Sequence, residues 1–187
     1  MNKICIVLAI LLIQSNCSNL YDLILLSQDR GAACLDGTPP GMYLHEGTGA
    51  NKDKFLIFFN GGGFCGGKDL SSTLQSCYER SFTGLGSTKD YQQKLDADQF
   101  GYLSTLKEVN PVFYDWTKIA VIYCDGSIHE GYKSVPITYK GKKLYFRGSR
   151  NSLEQFHYLE EKYDIYNKDS IVITGISAGG LATYEWT

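Results

Sequence analysis

The sequence predicts an α/β fold, a mostly parallel sheet with helices on its flanks. Three observations carry this expectation. Lys54 to Phe59 (KFLIFF) and Lys118 to Tyr123 (KIAVIY) are short apolar runs, rich in β-branched or aromatic residues, with the length of buried strands. Ser149 to Tyr163 has helical spacing, and helices alternating with such strands are the pattern of an α/β sheet. Finally, Ile171 to Thr174 runs straight into a glycine-bounded turn and a helix start.

Taken in order, Tyr21 to Leu26 is apolar enough for a first strand. Gly31 to Gly41 is a turn region, punctuated by Asp36-Gly37 and Pro39-Pro40. Met42 to His45 reads as a second short strand, and KFLIFF, closed by Asn60-Gly61-Gly62-Gly63, as a central one. Asp69 is placed to cap a helix over Leu70 to Tyr78. Ser81 to Asp98 is polar and loop-like, with room for a helical turn. After KIAVIY, Pro136 to Tyr139 and Lys142 to Phe146 alternate about Lys140-Gly141, which predicts a hairpin. The helix over Ser149 to Tyr163 carries Leu153, Phe156, Leu159 and Tyr163 as one apolar stripe.

The chain has 187 residues, a net charge of −2 and 43% hydrophobic residues, enough for one core and one domain. The charge balance points away from a nucleic-acid partner. Residues 1–17 read as a secretory signal peptide: Lys3 begins it, Ile4 to Ile13 is apolar, and Gln14 to Ser18 is small and polar, with cleavage near Cys17–Ser18. The apolar run is short for a bilayer span, and the mature chain, 18–187, has no other candidate. A secreted or secretory-lumen location follows. Cys5 and Cys17 leave with the signal, as does the sequon at Asn16. Cys34, Cys65, Cys77 and Cys124 remain for an oxidising compartment, and spacing alone leaves all three pairings open. Cys65 and Cys77 are close enough for a local staple; closing a loop of about 15 residues stabilises by roughly 3 kcal/mol. No metal-ligand spacing is present.

The residues that carry chemistry are Gly175-Ile176-Ser177-Ala178-Gly179. Gly-x-Ser-x-Gly between a strand and a helix is the nucleophile elbow of an α/β-hydrolase. The turn crowds the backbone around the serine, so glycines are needed beside it. Acyl transfer by such a serine needs a base, an acid to orient that base, and N–H donors for the oxyanion. Ala178, the residue after Ser177, supplies one donor; the glycine-rich loop after KFLIFF stands where the second belongs. The plainer reading of either segment is a tight glycine turn. Acyl transfer by serine requires no cofactor and no metal.

The chain resembles the pectin acetylesterase family, which includes the animal Notum carboxylesterases that remove palmitoleate from Wnt. The blocks that carry the resemblance are ACLDGTPPGMYL from Ala33, FFNGGGFC to Cys65, NPVFYDWTKIAVIYCDGS to Ser127, LYFRGSR to Arg150 and ITGISAGGLATY to Tyr184. The Gly-Gly-Gly-aromatic-Cys, Tyr-Cys-Asp-Gly and Tyr-Phe-Arg-Gly blocks are nearer the plant-type enzymes. The resemblance implies Ser177 as nucleophile, Gly62, Gly63 and Ala178 as the oxyanion hole, and disulfides Cys34–Cys124 and Cys65–Cys77, the second bracing the oxyanion loop. It also implies that Asp125 and Gly126 form a loop near the site.

One departure stands out. In this fold the acid and histidine follow the serine, yet no Asp or His follows Ser177. His45, His129 and His157 are all upstream, with His157 expected on a surface and His129 in a loop that could line the cleft. The expectation is a chain that stops after the nucleophile elbow, lacks its acid and base, and is poorly active by itself with an exposed apolar sheet edge. The functional reading is a secreted serine carboxylesterase acting on O-acetyl groups of a polysaccharide. A lipid-removing, Notum-like carboxylesterase is the alternative within the chemistry. A non-catalytic glycan-binding protein, using some of the 14 tyrosines and 9 phenylalanines for stacking, is the alternative outside it.

Overall fold

A computed structural model describes residues 19–187. The expected signal peptide, residues 1–17, lies outside the described residues. The elements are β1 (Leu20–Leu25), β2 (Gly41–His45), β3 (Phe55–Phe59), α1 (Leu70–Arg80), β4 (Lys94–Asp96), β5 (Thr117–Val121), β6 (Ile137–Tyr139), β7 (Lys142–Leu144), α2 (Gly148–Tyr163), β8 (Ile171–Gly175) and α3 (Ala178–Ala182).

A six-stranded sheet runs in the order β4-β1-β2-β5-β3-β8. Its site-bearing half, β5-β3-β8, is parallel, with Phe59 level with Val121 on one side and Gly175 on the other. The other half, β4-β1-β2-β5, is antiparallel. Parallel neighbours need long crossovers, and α2 lies in the connection between β5 and β8. This is an α/β architecture of the hydrolase kind. The central strands are apolar on both faces because both faces are covered. Phe55, Ile57 and Phe59 alternate with Leu56 and Phe58 into two different cores. The first core also holds Ile119, Val121 and Leu159. The second holds Tyr43, Ala120, Ile122 and Leu103, with Leu95 of β4 and Tyr91 and Phe113 from the connections on either side of β4 packed against it.

Three local features differ from, or add to, the sequence reading. The loop-like stretch 81–98 contains β4, which pairs with β1 at the sheet edge. A three-residue strand, Lys-Leu-Asp, is too short to show alternation. Second, the stripe expected on α2 is only partly inward. Leu159 is buried and Phe156 and Tyr163 pack on the core, but Leu153 is 40% exposed. Its place is taken by polar side chains that hold loops: Asn151 bonds both the N–H and the C=O of Ala33, at 2.8 and 3.0 Å. Ser152 donates to the carbonyl of His129. Third, Lys118 on β5 is fully buried, and its ammonium donates to the carbonyls of Phe113, Tyr114 and Trp116.

Other expectations match the structure. Asp69 caps α1 through a capping box with Ser72. The hairpin turns on Lys140 and Gly141, both at positive φ (48° and 78°) as a mirror-image two-residue turn requires. Disulfides join Cys34 to Cys124 and Cys65 to Cys77. No helix among the described residues is long and apolar enough to cross a membrane.

Candidate active site

Ser177 stands between the last residue of β8 and the first turns of α3, at φ 55° and ψ −122°. A non-glycine residue there is strained by its own Cβ, and such strain persists only where the surroundings enforce it. The surroundings do so through three glycines. A Cβ on Gly175 would overlap the carbonyl oxygen of Gly179, and one on Gly179 would overlap that of Phe59. A Cβ on Gly61 would overlap the carbonyl oxygen of Ile176 and come within 2.9 Å of the Cβ of Ser177. The end of β3, the elbow and the start of α3 are therefore packed backbone on backbone. No larger residue fits at those three positions without moving the serine.

The glycine loop approaches from the β3 side. Gly62 and Gly63 take φ values of 144° and 67°, which L side chains rarely adopt. Among the described residues no acceptor takes the N–H of Gly62, Gly63 or Ala178. The hydroxyl of Ser177 likewise has no protein hydrogen-bond partner among them. Beside these groups opens a cavity of about 790 Å³, lined by Gly61, Gly62 and Ser177 at one end and by apolar side chains such as Phe58, Leu95 and Leu103 elsewhere. Of the sequence-derived residues, Ser177 and Gly62 line this cavity, and Ala178 and Gly63 follow them directly in the chain.

The histidines do not join them. His157 is exposed on α2. His45 is buried, on β2, with its ring 5.2 Å from that of Tyr21. His129 is buried and its Nε2 lies 2.8 Å from the carbonyl oxygen of Asn60. A carbonyl only accepts, so this nitrogen carries the hydrogen. Burial pushes the His129 pKa down, opposed by Asp125 and by the bond to Asn60, so the ring sits neutral. Its ring stacks on Tyr123 at 4.5 Å and meets Phe59 edge-on. His129 is thus committed to the base of the glycine loop and not to Ser177.

Asp125 is buried beside that loop and accepts from both the N–H and the hydroxyl of Ser127. The carbonyl of Gly126 accepts from Cys65 N–H at 2.9 Å. Sequence reasoning overlooked Arg80 and Tyr123, whose side chains reach the same loop. A Tyr directly before the Cys-Asp-Gly turn was the available signal for one of them; nothing local marks Arg80. No group of three or more His, Cys, Asp or Glu side chains among the described residues is placed to hold a metal.

The pectinacetylesterase family model matches residues 14–187. Pectin acetylesterase 5 of Arabidopsis thaliana is 36% identical over 160 residues, 84% of this chain and 35% of the relative. Pectin acetylesterase 4 of the same plant is 34% identical over 159 residues, 84% of this chain and 36% of the relative. The palmitoleoyl-protein carboxylesterase notum1a of Danio rerio is 32% identical over 153 residues, 82% of this chain and 28% of that protein. The chain spans about a third of the length of the curated relatives it matches. With the match running through the strained serine and the glycine loop alike, the chain belongs to the pectinacetylesterase family.

Proposed function

We propose that the protein is a secreted serine carboxylesterase that removes O-acetyl groups from a polysaccharide, with Ser177 as nucleophile and the N–H groups of Gly62, Gly63 and Ala178 as oxyanion donors. The observation that carries the reading is the strained serine, φ 55°, held against a glycine loop whose N–H groups are unspent. Ser177 Oγ would attack the ester carbonyl carbon as its proton passes to a base. The tetrahedral oxyanion collapses, the C–O bond to the sugar breaks, and the sugar oxygen takes the proton. Water then attacks the acetyl-serine and acetate leaves. Loss of a single oxyanion donor in such sites costs about 10²–10³ in rate.

The base and its orienting acid are assigned to sequence outside these 187 residues, since His45, His129 and His157 are engaged or placed elsewhere. Secretion rests on residues 1–17 as a signal peptide and fits the two disulfides. The test uses the protein expressed from its whole gene. Acetate release from acetylated pectin and from an aryl acetate should fall at least about 10³-fold in Ser177→Ala. Undiminished turnover in that variant would refute the reading.

One observation favours a second reading, a longer acyl group: the cavity beside Ser177 is mainly apolar and holds about 790 Å³. The zebrafish relative is named a palmitoleoyl-protein carboxylesterase. A series of aryl esters of increasing chain length decides, because an acetyl enzyme loses kcat/KM with length and a lipid-removing enzyme gains it. A non-catalytic glycan-binding role predicts no turnover of any ester, and binding to the polysaccharide that Ser177→Ala leaves intact.

A further inference from the structure

The glycine loop is held by three flat side chains stacked in a row. The guanidinium of Arg80 lies 4.9 Å from the Tyr123 ring centre, and that ring stacks on His129 at 4.5 Å. Each donates to a different carbonyl of the loop. His129 Nε2 reaches Asn60 O at 2.8 Å, Arg80 Nη1 reaches Gly62 O at 2.9 Å, and the Tyr123 hydroxyl reaches Gly63 O at 2.7 Å.

A trans peptide unit points its N–H opposite to its carbonyl, and none of the described peptide bonds is cis. Fixing the Gly62 carbonyl therefore fixes the Gly63 N–H, one of the proposed donors, while fixing the carbonyls of Asn60 and Gly63 fixes the N–H groups of Gly61 and Phe64 that flank the donors in the loop. Glycines at φ 144° and 67° have no side chain to hold these orientations themselves. A carbonyl that accepts from a cation also polarises its peptide unit and makes the N–H on the far side a stronger donor.

The stack is itself over-determined. Arg80 makes a second bond, Nε to Leu85 O at 2.9 Å, and lies at the end of α1, three residues past Cys77, whose disulfide leads back to Cys65 on the loop. Tyr123 accepts from Ile128 N–H at 2.9 Å. Ile128 and His129 sit at φ 64° and 61°, a strained pair that brings the imidazole under the loop. Burial holds the Tyr123 hydroxyl protonated, pushed up to about 12, so it remains a donor throughout the neutral range.

We infer that Arg80, Tyr123 and His129 are positioning residues of the oxyanion hole: Arg80 aims and polarises the Gly63 N–H through the Gly62 carbonyl, while His129 and Tyr123, the latter also lining the cavity, hold the loop on either side of it. The inference rests on the serine-esterase reading above. Its test uses Tyr123→Phe, which keeps the ring stack and removes only the hydroxyl, and Arg80→Met and Arg80→Lys, in the protein expressed from its whole gene. The readouts are kcat and KM for an aryl acetate, inhibition by an alkyl boronic acid that forms a tetrahedral anion on the serine, and the thermal unfolding midpoint. Tyr123→Phe and Arg80→Met should each lower kcat by about 10–100-fold with KM within about twofold. Boronate affinity should weaken in step with kcat, and Arg80→Lys should recover part of the loss by donating to Gly62 O alone. Folded variants with wild-type kcat overturn the inference, as does a fall in kcat with unchanged boronate affinity. Its failure is separable from that of the parent reading, because only the latter is overturned by an active Ser177→Ala.

Discussion

Lys118 offers a quantitative check on the fold beneath the site. Its ammonium is fully buried on β5 and spans the carbonyls of Phe113, Tyr114 and Trp116. Burial pulls its pKa down from 10.5 to about 8, with Asp115 and Asp98 opposing. The sign follows from proton counting. Between these values the unfolded chain keeps a proton that the folded chain has released, so stability rises with pH across the window. From about pH 7 to about pH 9.5 the gain comes to about 2 kcal/mol. Tyr21, Tyr123 and Tyr163 act the other way, since burial raises their hydroxyl pKa values, but they weigh mainly above about pH 10. Lys118→Met keeps the apolar stem and shares those tyrosines, so the difference between the two proteins isolates the lysine. Urea unfolding at a series of pH values is the assay. The wild type should gain about 2 kcal/mol relative to the variant between about pH 7 and about pH 9.5. Parallel stability curves for the two proteins would refute the argument.

Gly179→Ala should cost more than about 3 kcal/mol or abolish folding, since its Cβ overlaps the Phe59 carbonyl; Gly180→Ala, whose nearest neighbour would be 3.4 Å away, should be neutral or stabilising by up to about 1 kcal/mol. Thermal or urea unfolding of the pair distinguishes crowding from a general loss of glycine. Asn151→Ala leaves a buried N–H and C=O of Ala33 unpaired and should destabilise by about 2–4 kcal/mol in urea unfolding. Replacing both Cys65 and Cys77 by Ser should lower stability by about 3 kcal/mol and, if the loop is held as described, also lower kcat for an aryl acetate.

How far the molecule can be read from its sequence varies from element to element. KFLIFF and KIAVIY were legible because strands buried on both faces are apolar along most of their length, with Lys118 as the buried exception. α1 announced itself through Asp69, and the hairpin through Lys140-Gly141, because caps and tight turns are governed by neighbouring residues. β4 was not legible, since a three-residue edge strand exists only through its partner β1. The outward Leu153 and inward Asn151 on α2 reverse the hydrophobic pattern for a tertiary reason: that helix face meets loop backbone, whose polar groups need partners.

The site divides in the same way. The strained turn at Ser177 and its glycines could be read from sequence, because steric crowding at a strand–helix elbow admits few residue types and leaves a local signature. Arg80 comes from the end of α1 and Tyr123 and His129 from the loop after β5, and their convergence on the glycine loop is a product of sheet order and helix placement. Short-range sterics are written in adjacent residues, so the sequence alone determined the elbow, the central strands and the family resemblance. Hydrogen bonds between remote segments depend on where the chain returns, so only the tertiary structure decided what supports the loop and where the buried lysine and histidine find their partners.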